Sequence, residues 1–137
     1  PFVIMAHMMI QEAKLEEFMK WAVDVDQAVH DTEPDCLMHT MNADPNNPLT
    51  FKWVELYRND AAFYAHLGNP IVGEALAAMP TFLDATAPHG GFLVEIVGEI
   101  APETKEFAIN LGIPIEIWGR VAGYTGSLSV EISVPYW

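Results

Sequence analysis

Apolar residues fill Phe2 to Ile10 almost without a break, with Phe2, Ile4, Ala6, Met8 and Ile10 on one strand parity and Val3, Met5, His7 and Met9 on the other. So short a run, closed by Gln11 and Glu12, predicts a strand buried on both faces. From Glu12 to Asp31 the period lengthens to that of a helix. Leu15, Phe18, Met19, Ala22, Val25 and Val29 form one stripe, while Lys14, Glu17, Lys20, Asp24 and Asp31 fall largely off it. Pro34 ends the helix, because the residue before a proline is pushed out of helical backbone angles. Cys36 to Asn42 reads as a second strand, and Asp44-Pro45-Asn46-Asn47-Pro48 as the turn of a hairpin leading into Thr50 to Tyr57. That third strand sets Phe51, Trp53, Glu55 and Tyr57 on one face and Lys52, Val54 and Leu56 on the other. Asn59 or Asp60 caps a helix over Ala61 to Leu67, which Gly68 and Asn69 break and Pro70 restarts. Ile71, Val72, Ala75, Leu76 and Met79 form its stripe, Pro80 closes it, and Phe92 to Glu99 reads as a fourth strand.

Strand, helix, strand, strand, helix, strand is the order of the split βαβ, ferredoxin-like plait, an α+β fold. Its sheet carries both helices on one face, so a first strand that is apolar on both parities demands a second cover. The sheet of another copy is the simplest one, and a homodimer is expected. Beyond residue 99 the plait should stop, yet Pro102 to Leu111 reads as a short helix with Phe107, Ala108 and Leu111 on one side and Gly112 as its stop. Ile113 to Trp118 is strand-like, confined by Pro114 to an edge or a strand start. Ser127 to Val134 alternates strictly, so Leu128, Val130, Ile132 and Val134 are expected to face protein. Residues 1–99 are therefore expected to form the core. Residues 100–137 are expected to form a β-α-β-type extension of the same domain, too poor in stripes to hold a core of their own.

Composition narrows the partners. With 51% hydrophobic residues the 137-residue chain has ample apolar area to fold. Six basic against 19 acidic residues give a formal charge of -13, which repels phosphate backbones and anionic lipid surfaces; no nucleic acid and no membrane partner is expected. Cys36 stands alone, so no disulfide forms within the chain and no multi-thiolate metal site is built. A reducing compartment, the cytoplasm, is the expected location. The apolar first ten residues lack a basic n-region and a small-residue cleavage site. No apolar run reaches the roughly 18 residues of a membrane span.

The segment from Glu55 to Pro70, Glu-Leu-Tyr-Arg-Asn-Asp-Ala-Ala-Phe-Tyr-Ala-His-Leu-Gly-Asn-Pro, resembles the antibiotic biosynthesis monooxygenase-like family. There a strand ending in Glu-x-Tyr or Glu-x-Trp leads to a helix carrying Phe-x-x-His. Ala13 to Phe18, Glu33-Pro34-Asp35-Cys36-Leu37 and the Asp44 to Pro48 hairpin agree with it. The resemblance spans about residues 2 to 99 and implies a homodimeric α/β barrel with a pocket in each subunit between sheet and helices. The activities it implies are cofactor-independent oxygenation of phenols and quinols, haem degradation, and isomerisation of small carbonyl compounds. The haem-degrading branch does not fit, because its strand-one Asn falls on Ala6 and its helical His on Leu76. The quinone-forming branch fits in part: its strand-three Asn falls on Trp53 and its Trp near the strand end on Tyr57.

Oxygenation without metal or flavin needs an electron-rich substrate held dry beside one base. On the residues, Trp53, Tyr57, Phe63 and His39 are expected to bind a small aromatic or carbonyl substrate, with His66 as base and Glu55 orienting it or raising its pKa. Each has a bland alternative: Trp53, Tyr57 and Phe63 would pack any core, Glu55 could pair with Arg58, and His66 sits where a helix dipole favours a cation. His7 and His39 are each most simply hydrogen-bonded strand histidines. No His-x-x-x-His pair occurs, so no metal and no cofactor is expected; a metal site would have to be assembled from distant strands, as by His7, His39 and Glu55. His89 belongs to a loop that could cover the pocket. Pro1, as an N-terminal secondary amine, raises the alternative of tautomerase chemistry. Two further alternatives stand beside the oxygenase: a non-catalytic binding or structural dimer module, and an isomerase on the same scaffold.

Overall fold

The computed structural model describes residues 1–124; the alternating segment Ser127 to Val134 lies outside them. Among the described residues, five strands form one sheet in the order β2-β3-β1-β4-β5, from β1 (Phe2–Met9), β2 (Cys36–Asp44), β3 (Asn47–Tyr57), β4 (Phe92–Gly98) and β5 (Ile115–Trp118). The helices are α1 (Leu15–Thr32), α2 (Asp60–Gly68), α3 (Pro70–Ala78) and α4 (Pro102–Ile109). The first four strands pair antiparallel, with Ala6 opposite both Trp53 and Val94. This is the expected ferredoxin-like α+β plait. β5 joins its β4 edge in parallel, and Val94 N–H donates to Pro114 O at 2.9 Å, so Pro114 does sit at the entry to an edge strand.

Strand parity decides the layers. Phe2, Ile4, Ala6 and Met8 of β1, Phe51, Trp53, Glu55 and Tyr57 of β3, and Phe92, Val94 and Ile96 of β4 are all buried on the helical side. Phe18, Ala22, Val25 and Val29 of α1 press onto them, and Phe18 meets Phe51 at 5.0 Å and Phe82 at 5.8 Å between ring centroids. Met19, grouped with that stripe by sequence, is 41% exposed. On α3, Val72 and Ala75 are buried while Ile71 and Leu76 are each 40% exposed, and the chain runs past Pro80 in a tight 3-10 turn over Met79–Thr81. Asn59 caps α2 by accepting from Ala62 N–H at 3.0 Å, and Asn69 both ends α2 and caps α3 through Ile71 N–H at 3.1 Å. Gly91, at φ +80°, enters β4 where a Cβ would lie 2.7 Å from Asp84 O; only glycine fits.

The second sheet face is different. Val3, Met5 and Met9, Val54 and Leu56, and Leu93 are half-buried and Val97 is exposed, with the His7–Glu95 pair and Lys52 among them. After β4, α4 lies on the helical side: Phe107 of α4 meets Tyr64 of α2 at 5.1 Å between ring centroids, and Ala101 N–H donates to Asp60 Oδ1 at 2.9 Å. Ala108 is buried there, while Phe107 and Leu111, grouped with it by sequence, are more than a third exposed.

Candidate active site

Between sheet and helices lies a cavity of about 280 Å³. Its wall is apolar: Val72 and Ala75 of α3, Met79 of the turn that follows, Val94 and Ile96 of β4, and Leu111, Ile113 and Ile115 beyond α4. Its polar end is formed by His39, Glu55 and His66, brought from β2, β3 and α2. The β2/β3 register sets His39 directly opposite Glu55, and the turn after Tyr57 brings α2 back over that pair.

Of the residues singled out by sequence, His66, Glu55, His39, Trp53 and Phe63 all line this cavity. Tyr57 does not. Its ring is wholly buried behind Glu55, and its hydroxyl donates to Glu55 Oε2 at 2.7 Å. Burial first, and then the Glu55 charge, hold the Tyr57 phenol well above its usual range, so it remains a donor. Pro1 lies outside the cavity lining, and His89 has positive φ (57°) in the loop before β4. His7 is on the opposite sheet face, paired with Glu95, and takes no part in the cluster.

The carboxylates that orient the histidines come from α1 and its C-terminal edge. His66 Nδ1 lies 2.8 Å from Glu33 Oε2, whose other oxygen accepts from Asn69 Nδ2 at 2.7 Å. Glu33, rather than Glu55, is thus the hydrogen-bond partner of His66. His39 Nδ1 lies 2.6 Å from Asp26 Oδ1, which also accepts from Trp53 Nε1 at 2.7 Å. Burial opposes charge on His39, but its hydrogen bond to Asp26 and the nearby charges of Glu55, Asp26 and Glu33 outweigh this and raise its pKa. Glu33 shows the mirror case. Burial pushes its carboxyl up, while hydrogen bonds from His66 and Asn69 overcome that and hold it below the usual range. Burial, aided by the charges of Glu55 and Glu33, pushes the Cys36 thiol up to about 12, which removes it as a nucleophile at neutral pH.

Sequence reading missed Asp26 and Glu33, though a signal was present. Counting from Ala22 by threes and fours reaches Val25, Asp26, Val29 and Glu33, so both acids continue the buried face of α1. An acid on an apolar stripe needs a buried partner.

A family model for antibiotic biosynthesis monooxygenase matches residues 1–78. The chain belongs to that family. Solved structures agree with the antibiotic biosynthesis monooxygenase assignment. A candidate antibiotic biosynthesis monooxygenase from Caulobacter crescentus is 27% identical, with a TM-score of 0.62 over 69% of this chain and 85% of its own. One from Deinococcus radiodurans is 19% identical, at a TM-score of 0.60 over 70% and 89%. A Mycobacterium tuberculosis protein is 18% identical, at 0.60 over 74% and 93%. No curated protein matches the chain. No helix among the described residues is long and apolar enough to cross a membrane.

Taken chemically, the monooxygenase-family fold here presents two imidazoles, each with one nitrogen tied to a carboxylate and the other available. Such a pair can take a proton from a bound acid and hold the resulting anion.

Proposed function

We propose that this protein is an enzyme of the monooxygenase type that oxidises a small phenolic, quinol or enolisable substrate with molecular oxygen and no cofactor. The observation that carries the reading is an apolar cavity closed at one end by carboxylate-backed histidines. At about 280 Å³ it lies at the lower edge of the roughly 300–1,000 Å³ of small-molecule sites and suits one or two rings. Trp53 and Phe63 contact the substrate ring. His66 Nε2 takes the acidic proton while Glu33 holds the other side of the imidazole, and the protonated form of His39, favoured by Asp26 and Glu55, stabilises the phenolate or enolate.

The electron-rich anion then reduces oxygen directly. One oxygen atom enters the substrate and the other leaves as water, so the carbon that is CH₂ in the keto form, an aromatic C–H in the phenol, becomes C=O and the substrate supplies all four electrons. The apolar wall keeps solvent from the intermediate. Glu55, fixed by Tyr57, adjusts the field on His39 from 3.8 Å. The uncovered sheet face supports a homodimer, with residues 100–137 as an extension of the same domain.

Oxygen uptake against a panel of small quinols and phenols tests the reading. The expected result is uptake that His66→Ala reduces by about 10²- to 10⁴-fold, the usual worth of a positioned base. Uptake absent throughout, or unaltered by His66→Ala, overturns it. Turnover that proceeds equally well without oxygen would instead assign proton transfer alone, an isomerase.

A further inference from the structure

The polar end of the cavity has the composition of a metal centre. One donor atom from each of His39, Glu55 and His66 lies within 4.8 Å of the other two, on side chains no more than 9% exposed. We propose that these three residues bind a divalent transition-metal ion such as Zn²⁺ or Co²⁺, leaving a coordination position open toward the cavity.

The ring nitrogens carry the argument. In each imidazole Nδ1 is held by a carboxylate, Asp26 for His39 and Glu33 for His66. With the proton on Nδ1, each ring presents a neutral Nε2 lone pair, and among the described residues neither Nε2 makes a hydrogen bond. His39 Nε2 lies 3.8 Å from Glu55 Oε1, while the other oxygen of Glu55 accepts from Tyr57. This is the carboxylate–histidine–metal arrangement, in which an outer carboxylate fixes the tautomer and raises the ligand's basicity. All three ligands have such an outer partner, which an accidental cluster would not require.

The charge points the same way. Asp26, Glu33 and Glu55 converge on two imidazoles at the end of an otherwise apolar cavity, and a dication offsets that excess. Two imidazoles and one carboxylate suit zinc, cobalt or iron(II), whereas calcium and magnesium prefer all-oxygen sites. A tetrahedral ion with bonds of about 2.0–2.2 Å holds its ligands roughly 3.3–3.5 Å apart, so closure takes side-chain shifts of about 1 Å. The three come from separate elements, β2, β3 and α2, which explains why no local His pair announces them. The inference does not rest on the proposed oxygenation, which needs His66 Nε2 free as a base; a bound ion is an alternative occupant of the same end of the cavity. Metal and proton compete for the same nitrogens, and binding is measured without turnover.

The test uses the full chain, stripped with chelator and titrated with Zn²⁺ against a chelating dye, and separately with Co²⁺ followed by visible absorption. One Zn²⁺ per chain is expected, with the intense Co²⁺ bands of a four- or five-coordinate site. His39→Gln, His66→Gln and Glu55→Gln should each lower zinc affinity by at least tenfold, and Asp26→Asn by about 10- to 100-fold, the usual effect of losing an outer partner. His7→Gln and His30→Gln should leave it unchanged. The proposal is overturned by no stoichiometric binding, or by binding that survives all three ligand substitutions or disappears with His7 or His30. Should the ligand variants fail to fold, the wild-type Co²⁺ protein decides through NMR. Two strongly shifted exchangeable imidazole N–H protons, those held by Asp26 and Glu33, are required, and fewer than two overturns the site.

Discussion

Tyr57 donates its phenolic hydrogen to Glu55 at 2.7 Å, and both side chains belong to the same face of β3, two residues apart. A carboxylate buried at the end of an apolar cavity needs donors, and this one comes from a ring that never reaches the cavity itself. Tyr57→Phe should therefore destabilise the fold by about 1–3 kcal/mol, the cost of leaving a buried acceptor short of a partner, without opening new space. Urea denaturation checks this: the midpoint should fall with the slope unchanged.

Glu33→Gln should change how stability depends on acid. The Glu33 carboxyl has a lower pKa in the folded protein than its ordinary 4.5, because hydrogen bonds from His66 and Asn69 outweigh burial. A depressed folded pKa gives stability that is present above about pH 4.5 and lost as pH falls through the folded value. The wild type should lose stability across that acid window, and Glu33→Gln should show a flatter acid limb in thermal melts taken from pH 6 downward.

Cys36 should resist alkylation. With its pKa near 12 against an ordinary 9.0, the thiolate fraction at pH 8 is about a thousandfold below that of a free thiol. The rate of iodoacetamide labelling in the folded protein should keep rising with pH beyond 10, whereas the unfolded chain should level off near 9 to 10.

The uncovered sheet face predicts the assembly. Placing a charge at its centre, Val54→Asp, should convert dimer to monomer or prevent folding, since obligate interfaces bury more than about 2,000 Å² and tolerate no unpaired charge at their core. Sedimentation at micromolar concentration checks both chains; a folded wild-type monomer there would refute the dimer.

Strand parity made the plait readable in advance. The alternation of Phe51, Trp53, Glu55 and Tyr57 fixes which side of β3 faces the helices, because a one-residue slip would invert every side chain, whereas the double apolarity of β1 says only that both faces need a cover. Helix caps were equally legible at Asn59 and Asn69. The site was legible in part. Its cavity residues on β3 and α2 follow from spacing, but the partnership of His66 with Glu33 joins residues 33 positions apart, and that of His39 with Asp26 joins a helix to a strand. Local patterns carry no distance information of that kind. Tyr57 lies outside the cavity lining for a related reason: parity tells which face a residue takes, not how far along that face the cavity reaches.

The cavity is drawn from two stretches of the chain, one before residue 78 and one after it. His39, Glu55 and His66 fall within the residues 1–78 that the family model matches, whereas Leu83, Phe92, Val94, Ile96, Leu111, Ile113 and Ile115 all come after them. The polar end thus comes from the first stretch alone, whereas the apolar wall is shared, with Ile4, Ala6, Val72 and Ala75 from the first and the residues of β4 and beyond from the second. Replacements beyond residue 78 can therefore reshape one wall of the cavity while His39, Glu55 and His66 stay in place, so the second half of the chain is a handle on what enters that leaves the polar end untouched.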